Sequence, residues 1–316
     1  MKFKKTLIIN ISEDKLDPIY WKKLDELTEK RVSLPKDSPQ IQKELTDTDC
    51  ILRGFQIDVG KKEINAAPNL KYVGVLATAY GEVDTDYAKK KGIIVSNVPG
   101  YATESVAELV FAVILERIRG IVEAKERGSK GNYSEAGIKA MEIKDKVFAV
   151  LGLGRIGKRV AEIAKGFGAD VRYWSKNRKK DLEKSGIKYQ DADKLIAQAN
   201  IISLNLAETP ETKHFLNKKR INSIRPGGLI ISTVPNEITD LDALEDRLKK
   251  GDITFITDHA DELSPKNGKR LSKYENCILY PPIGYISDEA RIAKQEIFIG
   301  NMKAFLKGKP QHVVNP

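Results

Sequence analysis

Short apolar runs alternate along this chain with longer stretches in which apolar residues recur every three or four positions. A run of four to eight apolar residues is typical of a strand buried on both faces, whereas the longer spacing is typical of an amphipathic helix. Strands are therefore predicted at residues 6–11, 50–53, 70–76, 93–95, 147–151, 171–174, 201–206, 225–232 (with its opening turn), 255–257 and 277–280.

Helical spacing fills the stretches between these runs. Helices are predicted at residues 17–31, 57–67, 84–91, 103–130 and 158–167, and Pro68 stops the second of them. Strands that alternate with helices fold into parallel sheets with helices on both faces. The pattern therefore predicts an α/β protein, and the turn residues at 97–100 mark a hinge after its first unit.

The predicted strand 147–151 runs directly into a G-x-G-x-x-G motif, and a helical pattern follows it. In this context the motif predicts a dinucleotide-binding fold, the alternative being a glycine-rich structural turn. Gly152 allows the tight turn, Gly154 lets the backbone approach a pyrophosphate, and Gly157 lets helix and strand pack closely. The N-terminus of the helix then offers N–H groups to the phosphates.

The residues after the second strand of this fold bear on the choice of nicotinamide cofactor. NAD-selective folds place an Asp or Glu there to accept a hydrogen bond from the ribose 2′-hydroxyl. This chain has Ser175, followed by Lys176 and Arg178. These side chains can bind a 2′-phosphate through charge-assisted hydrogen bonds. We therefore predict a preference for NADP(H), with NAD(H) as the alternative cofactor if the basic run only belongs to a basic surface.

The composition agrees with a globular protein of two domains. The chain has 316 residues, of which 41% are hydrophobic and 31% charged, and no apolar run is long enough to span a membrane. We interpret the apolar N-terminal stretch as a first strand rather than a signal peptide. We expect a cytoplasmic protein in which Cys50 and Cys277 are buried free thiols.

The formal charge of +10 raises the question of a nucleic-acid or membrane partner. The lysines are interleaved with acids, however, and the chain contains no helix-turn-helix or aromatic-basic RNA motif. We expect a basic solvated surface with no nucleic-acid or membrane partner, which suits an anionic small-molecule substrate. The three histidines and two cysteines lie far apart in sequence, so no metal site is predicted.

Several stretches together resemble the D-isomer-specific 2-hydroxyacid dehydrogenases over about the whole chain. The glyoxylate/hydroxypyruvate reductase branch is the nearest. The matching stretches are LATAYG at 76–81, GIIVSNVPG at 92–100, SVAE at 105–108, GLGRIG at 152–157, TPETKH at 209–214, RPGG at 225–228, DLDAL at 240–244 and YPPIG at 280–284.

The resemblance implies two parallel-sheet α/β domains, Rossmann-like and flavodoxin-like. A dinucleotide-binding domain at 100–285 would be inserted into a substrate domain made of 1–99 and 286–316, with the active site in the cleft. A homodimer is also implied, with the helix after Tyr101 at its interface. By resemblance, the backbone N–H groups of Thr78 and Ala79 would bind the substrate's carboxylate. The further cofactor contacts that it implies are Thr103, Arg155, Ile156, Leu206, Thr233, Val234 and Asp258.

The catalytic positions of the family are replaced in this chain. The resemblance implies an Arg that binds the 2-oxo acid, a Glu and a His, and these positions hold Pro235, Leu263 and Pro282. Proline has no ionisable group and no N–H, so it cannot polarise a carbonyl or transfer a proton. Glu262 adjoins the lost Glu position, so a slip of one residue would restore a carboxylate.

Three other residues are candidates for the missing proton donor. His259 follows Asp258 at the end of a predicted strand, where α/β enzymes place catalytic groups. A surface histidine is the alternative interpretation. Tyr80 and Tyr285 could also act as acids, although each would more simply pack against its surroundings.

Three hypotheses about function follow from these residues. The first is an NADP(H)-dependent oxidoreductase of a small 2-oxo or 2-hydroxy acid, or of a related carbonyl compound, with a proton donor of its own. The second is a catalytically silent NADP(H)-binding sensor that regulates a partner. The third is a reductase of a bulkier or uncharged substrate, which the loss of the carboxylate-binding Arg would suit.

Overall fold

The computed structural model describes residues 1–316, which form strands, α-helices and three short 3-10 helices. The strands are β1 (Phe3–Ile9), β2 (Thr28–Leu34), β3 (Cys50–Arg53), β4 (Tyr72–Val75), β5 (Ile94–Ser96), β6 (Val147–Leu151), β7 (Asp170–Trp174), β8 (Lys188–Tyr189), β9 (Ile201–Leu204), β10 (Gly228–Ser232), β11 (Ile253–Thr257) and β12 (Cys277–Leu279).

The α-helices are interspersed with these strands. They are α1 (Pro18–Asp25), α2 (Ile41–Leu45), α3 (Lys61–Ala66), α4 (Thr85–Lys90), α5 (Thr103–Ile118), α6 (Ile121–Ser129), α7 (Arg155–Gly166), α8 (Lys180–Glu183), α9 (Ala192–Gln198), α10 (Lys218–Ser223), α11 (Leu241–Leu248), α12 (Pro265–Leu271) and α13 (Asp288–Leu306).

The chain forms two compact units. Unit 1 contains residues 1–101 and 287–316, and unit 2 contains residues 102–286. Each unit has one fully parallel sheet, so the predicted α/β class with two parallel-sheet domains is confirmed. No helix of this structure combines the length and the apolarity of a membrane span.

Unit 1 has a five-stranded sheet in the order β2-β1-β3-β4-β5, which is the flavodoxin-like order. Both faces of the sheet are covered. In β3 the side chain of Ile51 packs into the core on one face, while Cys50 and Leu52 pack into the core on the other. The second core also receives Phe298 and Met302 from α13.

Unit 2 has a seven-stranded sheet in the order β12-β11-β10-β9-β6-β7-β8, the Rossmann order with one further strand. In β6 the side chains of Phe148 and Val150 pack on one face, and Ala149 and Leu151 pack on the other. This strand is buried on both faces, as its continuous apolar run predicts.

Two predicted helices are wrong in part. The helix predicted at 17–31 ends at Asp25, and Thr28–Leu34 is a strand at the edge of the sheet. An edge strand pairs on one side only, so it does not need the apolar run that marks a central strand. The helix predicted at 103–130 is broken by Gly120, whose φ of +60° ends α5 and starts α6.

Smaller differences lie at element ends. The helix predicted at 57–67 begins only at Lys61, and the two-residue strand β8 was not predicted because its residues are exposed and polar in pattern. Cys50 and Cys277 are free and buried, as predicted. Burial raises the pKa of the Cys277 thiol to about 12, so this thiol is not a ready nucleophile.

Candidate functional site

The predicted cofactor residues of unit 2 gather at the carboxyl ends of its parallel strands. Strands β6 and β9 lie side by side, and the chain leaves them in opposite directions along the sheet. Ligands of open α/β sheets bind at such a switch point, outside the carboxyl ends of the strands. The glycine motif directly follows β6, and Leu206 lies two residues beyond the end of β9.

Two glycines of the motif are required by close backbone contacts. Gly152 has a φ of +97°, and a Cβ atom there would lie 2.5 Å from the carbonyl oxygen of Asn205. A Cβ atom on Gly157 would lie 1.9 Å from the carbonyl oxygen of Gly152. Neither position can hold a side chain, so the turn and the first turn of α7 are fixed by contacts inside the protein.

Gly154 differs from these two because nothing in the protein occupies the space that its Cβ would take. No atom lies within 4 Å of that position, and Gly154 is exposed. It is also the N-cap of α7, and no side chain caps the helix. The N–H groups at the start of α7, including those of Arg155 and Ile156, therefore face open space. This arrangement fits a pyrophosphate group.

The three residues predicted to choose the cofactor, which follow β7, differ from one another in their surroundings. The Ser175 side chain is buried, and its hydroxyl donates to the carbonyl of Asn177 at 2.6 Å. Lys176 is exposed and forms no ion pair. Arg178 donates two hydrogen bonds of 2.7 Å to the carboxylate of Glu183 and stacks on the ring of Tyr189.

The Glu183 carboxylate is held by Arg178 and by the Tyr173 hydroxyl, which donates to it at 2.9 Å. The Arg178 hydrogen bonds keep the pKa of Glu183 at about 2, so the carboxylate is charged at neutral pH. Arg178 is therefore partly neutralised, and Lys176 is the unpaired cation among the three predicted residues.

The carboxyl ends of β10 and β11 carry the residues predicted at the nicotinamide end. Thr233 and Val234 follow β10, and Val234 is buried in the core. Asp258 follows β11 and is 6% exposed. One of its oxygens accepts a 3.0 Å hydrogen bond from the Gly284 N–H.

The other oxygen of Asp258 lies 2.8 Å from Nδ1 of His259. Burial opposes protonation of His259, but the hydrogen bond and charge of Asp258 outweigh it, and Glu262 and Asp261 add to them. The pKa of His259 is therefore raised above its usual value. Its Nε2 is 4.0 Å from a Glu262 oxygen. The structure thus forms an Asp-His pair whose protonated form is favoured and whose ring is 24% exposed.

The three positions at which the resemblance implies catalytic side chains also lie beyond carboxyl ends of strands. Pro235 precedes a short 3-10 helix (Asn236–Ile238), Leu263 packs against a core cluster, and Pro282 lies in the segment after β12. Burial raises the pKa of the neighbouring Glu262 carboxyl, whereas the charge of His259 acts against this.

The tyrosine candidates are less enclosed. The Tyr80 side chain in unit 1 is 38% exposed and that of Tyr285 in unit 2 is 43% exposed. No side chain in the structure accepts a hydrogen bond from either hydroxyl. Thr103 is the first residue of α5, and it is half-buried.

Thr78 and Ala79 are exposed residues beyond the end of β4 in unit 1. The Thr78 hydroxyl donates to the carbonyl of Val98 at 2.8 Å, and its own carbonyl accepts from Asn97 at 2.7 Å. The N–H groups of Thr78 and Ala79 donate to no acceptor of the protein. They are therefore available to an anion.

One polar residue at the same edge of unit 1 is missed by the sequence analysis. Lys294 lies on the buried stripe of α13, in register with Ala290 and Phe298 at intervals of four residues. A lysine on an apolar helical stripe is the signal that could have revealed it.

A Rossmann sheet with an uncapped glycine loop at its switch point defines a dinucleotide-binding protein. A family model described as "D-isomer specific 2-hydroxyacid dehydrogenase, NAD binding domain" matches residues 111–284. The glyoxylate reductase of Thermococcus litoralis is 33% identical over 292 residues, which are 89% of this chain and 88% of that protein. The chain therefore belongs to the D-isomer specific 2-hydroxyacid dehydrogenase family.

Solved structures agree with this assignment. The D-lactate dehydrogenase of Aquifex aeolicus, complexed with NAD and lactic acid, is 27% identical with a TM-score of 0.84, over 98% of this chain and 99% of that chain. An acyclic imino acid reductase in complex with NADPH and D-Arg is 29% identical with the same TM-score and coverages. The resemblance stated from the sequence is confirmed: this is an NAD(P)-binding chain of an oxidoreductase family that acts on small organic acids.

Proposed function

We propose that this protein is an NADP(H)-preferring reductase of a small 2-oxo acid or related carbonyl compound, with His259 as its proton donor. The observation that carries the proposal is the Asp258–His259 pair at the carboxyl end of β11, with a 2.8 Å contact between the side chains. When bound, the dinucleotide would supply or accept a hydride. The protein has to supply the proton for the carbonyl oxygen.

His259 suits this role for two reasons. Its raised pKa favours the protonated ring, which is the form that can donate a proton. Asp258 is itself held by the Gly284 N–H, so it fixes the ring through Nδ1 and leaves Nε2 for the substrate. We further propose that the N–H groups of Thr78 and Ala79 bind the substrate's carboxylate.

The cofactor preference rests mainly on Lys176. A carboxylate after β7 would repel a 2′-phosphate, whereas an exposed, unpaired lysine there attracts one. Arg178 can contribute its remaining N–H donors, but Glu183 already takes two of its hydrogen bonds. Gly152, Gly154 and Gly157 would place the pyrophosphate at the start of α7.

A homodimer is part of the proposal. Ile121 and Val122 on α6 are about half exposed, and Tyr133 in the segment beyond it is 86% exposed. Large apolar side chains that are exposed in a single chain are often covered at an interface. Light scattering should give twice the mass of one chain, and the mass of a single chain would exclude the dimer.

A silent NADP(H)-binding sensor is the second candidate. What favours it is the presence of Pro235, Leu263 and Pro282 where the resemblance implies catalytic side chains. If His259 does not replace them, the protein would bind the cofactor without turnover. A partner protein would then bind selectively to the cofactor-bound form.

The experiment that separates the two candidates is NADPH oxidation by the purified protein, together with NADPH binding by fluorescence. The substrate panel should contain glyoxylate, hydroxypyruvate, pyruvate and longer 2-oxo acids, each with and without ammonia so that imino acids also form. Turnover of about 1–10³ per second with any of them supports the reductase. Tight NADPH binding without turnover on the whole panel would favour the sensor.

A further inference from the structure

Lys294 is a partly buried cation in unit 1 that no carboxylate neutralises. Its ammonium lies 5.3 Å from the ring centre of Tyr101 and 5.8 Å from that of Phe55. No carboxylate oxygen lies within the 4.0 Å of an ion pair. Aromatic rings attract a cation only weakly, so these contacts leave most of its charge uncompensated.

Other buried cations of the same unit have carboxylate partners. Lys5 is 4% exposed and pairs with Glu44 at 2.7 Å and with Asp47. Arg53 is fully buried, and Glu82 pairs with it. The unit therefore supplies an acid wherever a cation is buried for structural reasons, and Lys294 is an exception that needs another explanation.

The helix that carries Lys294 shows the same contrast within one turn. Arg291 pairs with Asp17 and with Asp288. Three residues later Lys294 faces the rings of Phe55 and Tyr101 instead. Burial lowers the pKa of Lys294, and the charge of Lys15 lowers it further. An anion at this place would relieve both effects.

The surroundings of Lys294 are those of a ligand site. Phe55 lies two residues beyond β3, and its carbonyl accepts a 2.9 Å hydrogen bond from the Asn10 side chain, which directly follows β1. Strands β1 and β3 are neighbours from which the chain runs in opposite directions along the sheet. This is the switch point of unit 1, where ligands of such sheets bind.

We propose that Lys294 binds the carboxylate of the organic acid substrate, in place of the Arg that the resemblance implies at the position of Pro235. The inference rests on the proposed reductase function, and it names the residue that recognises the substrate's charge. The free N–H groups of Thr78 and Ala79 lie at the carboxyl edge of the same sheet, where they would share that carboxylate. Substrates without an anionic group should therefore be poor ones.

The first test is kinetic and compares Lys294→Met with Lys294→Arg. Methionine keeps the length and apolar body of the side chain but not its charge. Lys294→Met should raise KM for the best 2-oxo acid by about tenfold or more, the loss expected for one charge-assisted hydrogen bond, with NADPH affinity unchanged. Lys294→Arg keeps the charge, so its KM for the same 2-oxo acid should stay close to that of the parent protein. Lys303→Met, an exposed lysine of the same helix, is the matched control and should change nothing.

The second test needs no turnover. The protein with NADPH is acylated with a trace of acetic anhydride, and labelling of Lys294 and Lys303 is measured by mass spectrometry. Oxamate, an unreactive analogue of a 2-oxo acid, should slow the labelling of Lys294 at least about fivefold and leave Lys303 unchanged. Acetamide, which carries no charge, should protect neither.

The outcomes separate the inference from the proposed function. Protection of Lys294 without any turnover would support the anion site and contradict the reductase. Turnover with no protection and an unchanged KM in Lys294→Met would overturn the inference and leave the reductase standing. Absence of both turnover and protection would overturn both.

Discussion

Two regions along the carboxyl edge of the sheet in unit 2 differ in what determines the choice of residue there. After β6, Gly152 and Gly157 are required by backbone atoms that a Cβ would strike. After β10, β11 and β12, Pro235, His259 and Pro282 carry side chains, and the resemblance implies an Arg at the first and a His at the last of these positions. The binding loop is tied to the packing of the fold, whereas the candidate chemical groups are side chains in the segments beyond the strands. Belonging to a family by fold therefore does not by itself carry the family's chemistry.

The largest expected effect comes from the glycine loop itself. Gly157→Ala places a Cβ 1.9 Å from the Gly152 carbonyl oxygen, so the strand and helix must separate. We expect the free energy of unfolding to fall by about 3 kcal/mol or more. Thermal unfolding of the purified variant measures this loss.

Gly154→Ala is the matched control, because its Cβ would meet nothing within 4 Å. Its unfolding free energy should stay within about 1 kcal/mol of the parent. NADPH affinity should fall by about tenfold or more, since the methyl group fills the space that we assign to the pyrophosphate. Equal destabilisation by both substitutions would show that the two glycines do not differ in role.

The next effect concerns His259, the proposed proton donor after β11. His259→Gln should lower kcat by about 10²–10⁴-fold, the usual contribution of a general acid, and leave the Kd of NADPH unchanged. His214→Gln, at an exposed histidine of the same unit, is the control and should have parental kinetics. Unchanged turnover in His259→Gln would exclude His259 as the proton donor.

The pH dependence of stability and of kcat tests the role of His259 independently. The pKa of His259 is raised, so the stabilisation from its pair with Asp258 is complete below about pH 6.5 and is lost as pH rises through the folded-state pKa. The reductive kcat should fall through the same range, because only the protonated ring donates. Asp258→Asn should move this fall toward lower pH. A profile that Asp258→Asn does not shift would separate the pair from catalysis.

The smallest expected effect lies after β7. Lys176→Ala should weaken NADPH binding by about three- to tenfold and leave NADH binding unchanged, because only the 2′-phosphate is affected. Titration of both cofactors by fluorescence measures the ratio. Lys184→Ala removes another exposed lysine of unit 2 and should change neither. Equal weakening of both cofactors by Lys176→Ala would remove the argument for NADP(H).

The central strands and the glycine loop could be predicted because their signals are local. Strand β6 is an unbroken apolar run next to G-x-G-x-x-G, and the two signals together indicate a strand followed by a dinucleotide loop. Strand β2 could not be predicted, because an edge strand lacks an apolar run and its lysine and arginine resemble a helical surface. The break at Gly120 was also missed, since a glycine inside a helical pattern is often tolerated.

The candidate site was predictable only in part. The sequence places Ser175, Lys176 and Arg178 after the second strand, but it does not show that Glu183 neutralises Arg178. It places Asp258 beside His259, but not the Gly284 N–H that orients Asp258. These partners come from other loops, and their pairing depends on the fold.

The sequence alone determined the α/β class and the dinucleotide loop, because short-range patterns of apolar residues and glycines carry that information. The family and its two parallel-sheet domains followed from the resemblance of the motifs along the chain. The tertiary structure alone decided which charges are compensated. Lys5 and Lys294 are both lysines that the structure buries at least in part, and only the fold brings Glu44 and Asp47 to one of them. Charge compensation is a matter of distances between segments far apart in the chain, and no local pattern records those distances.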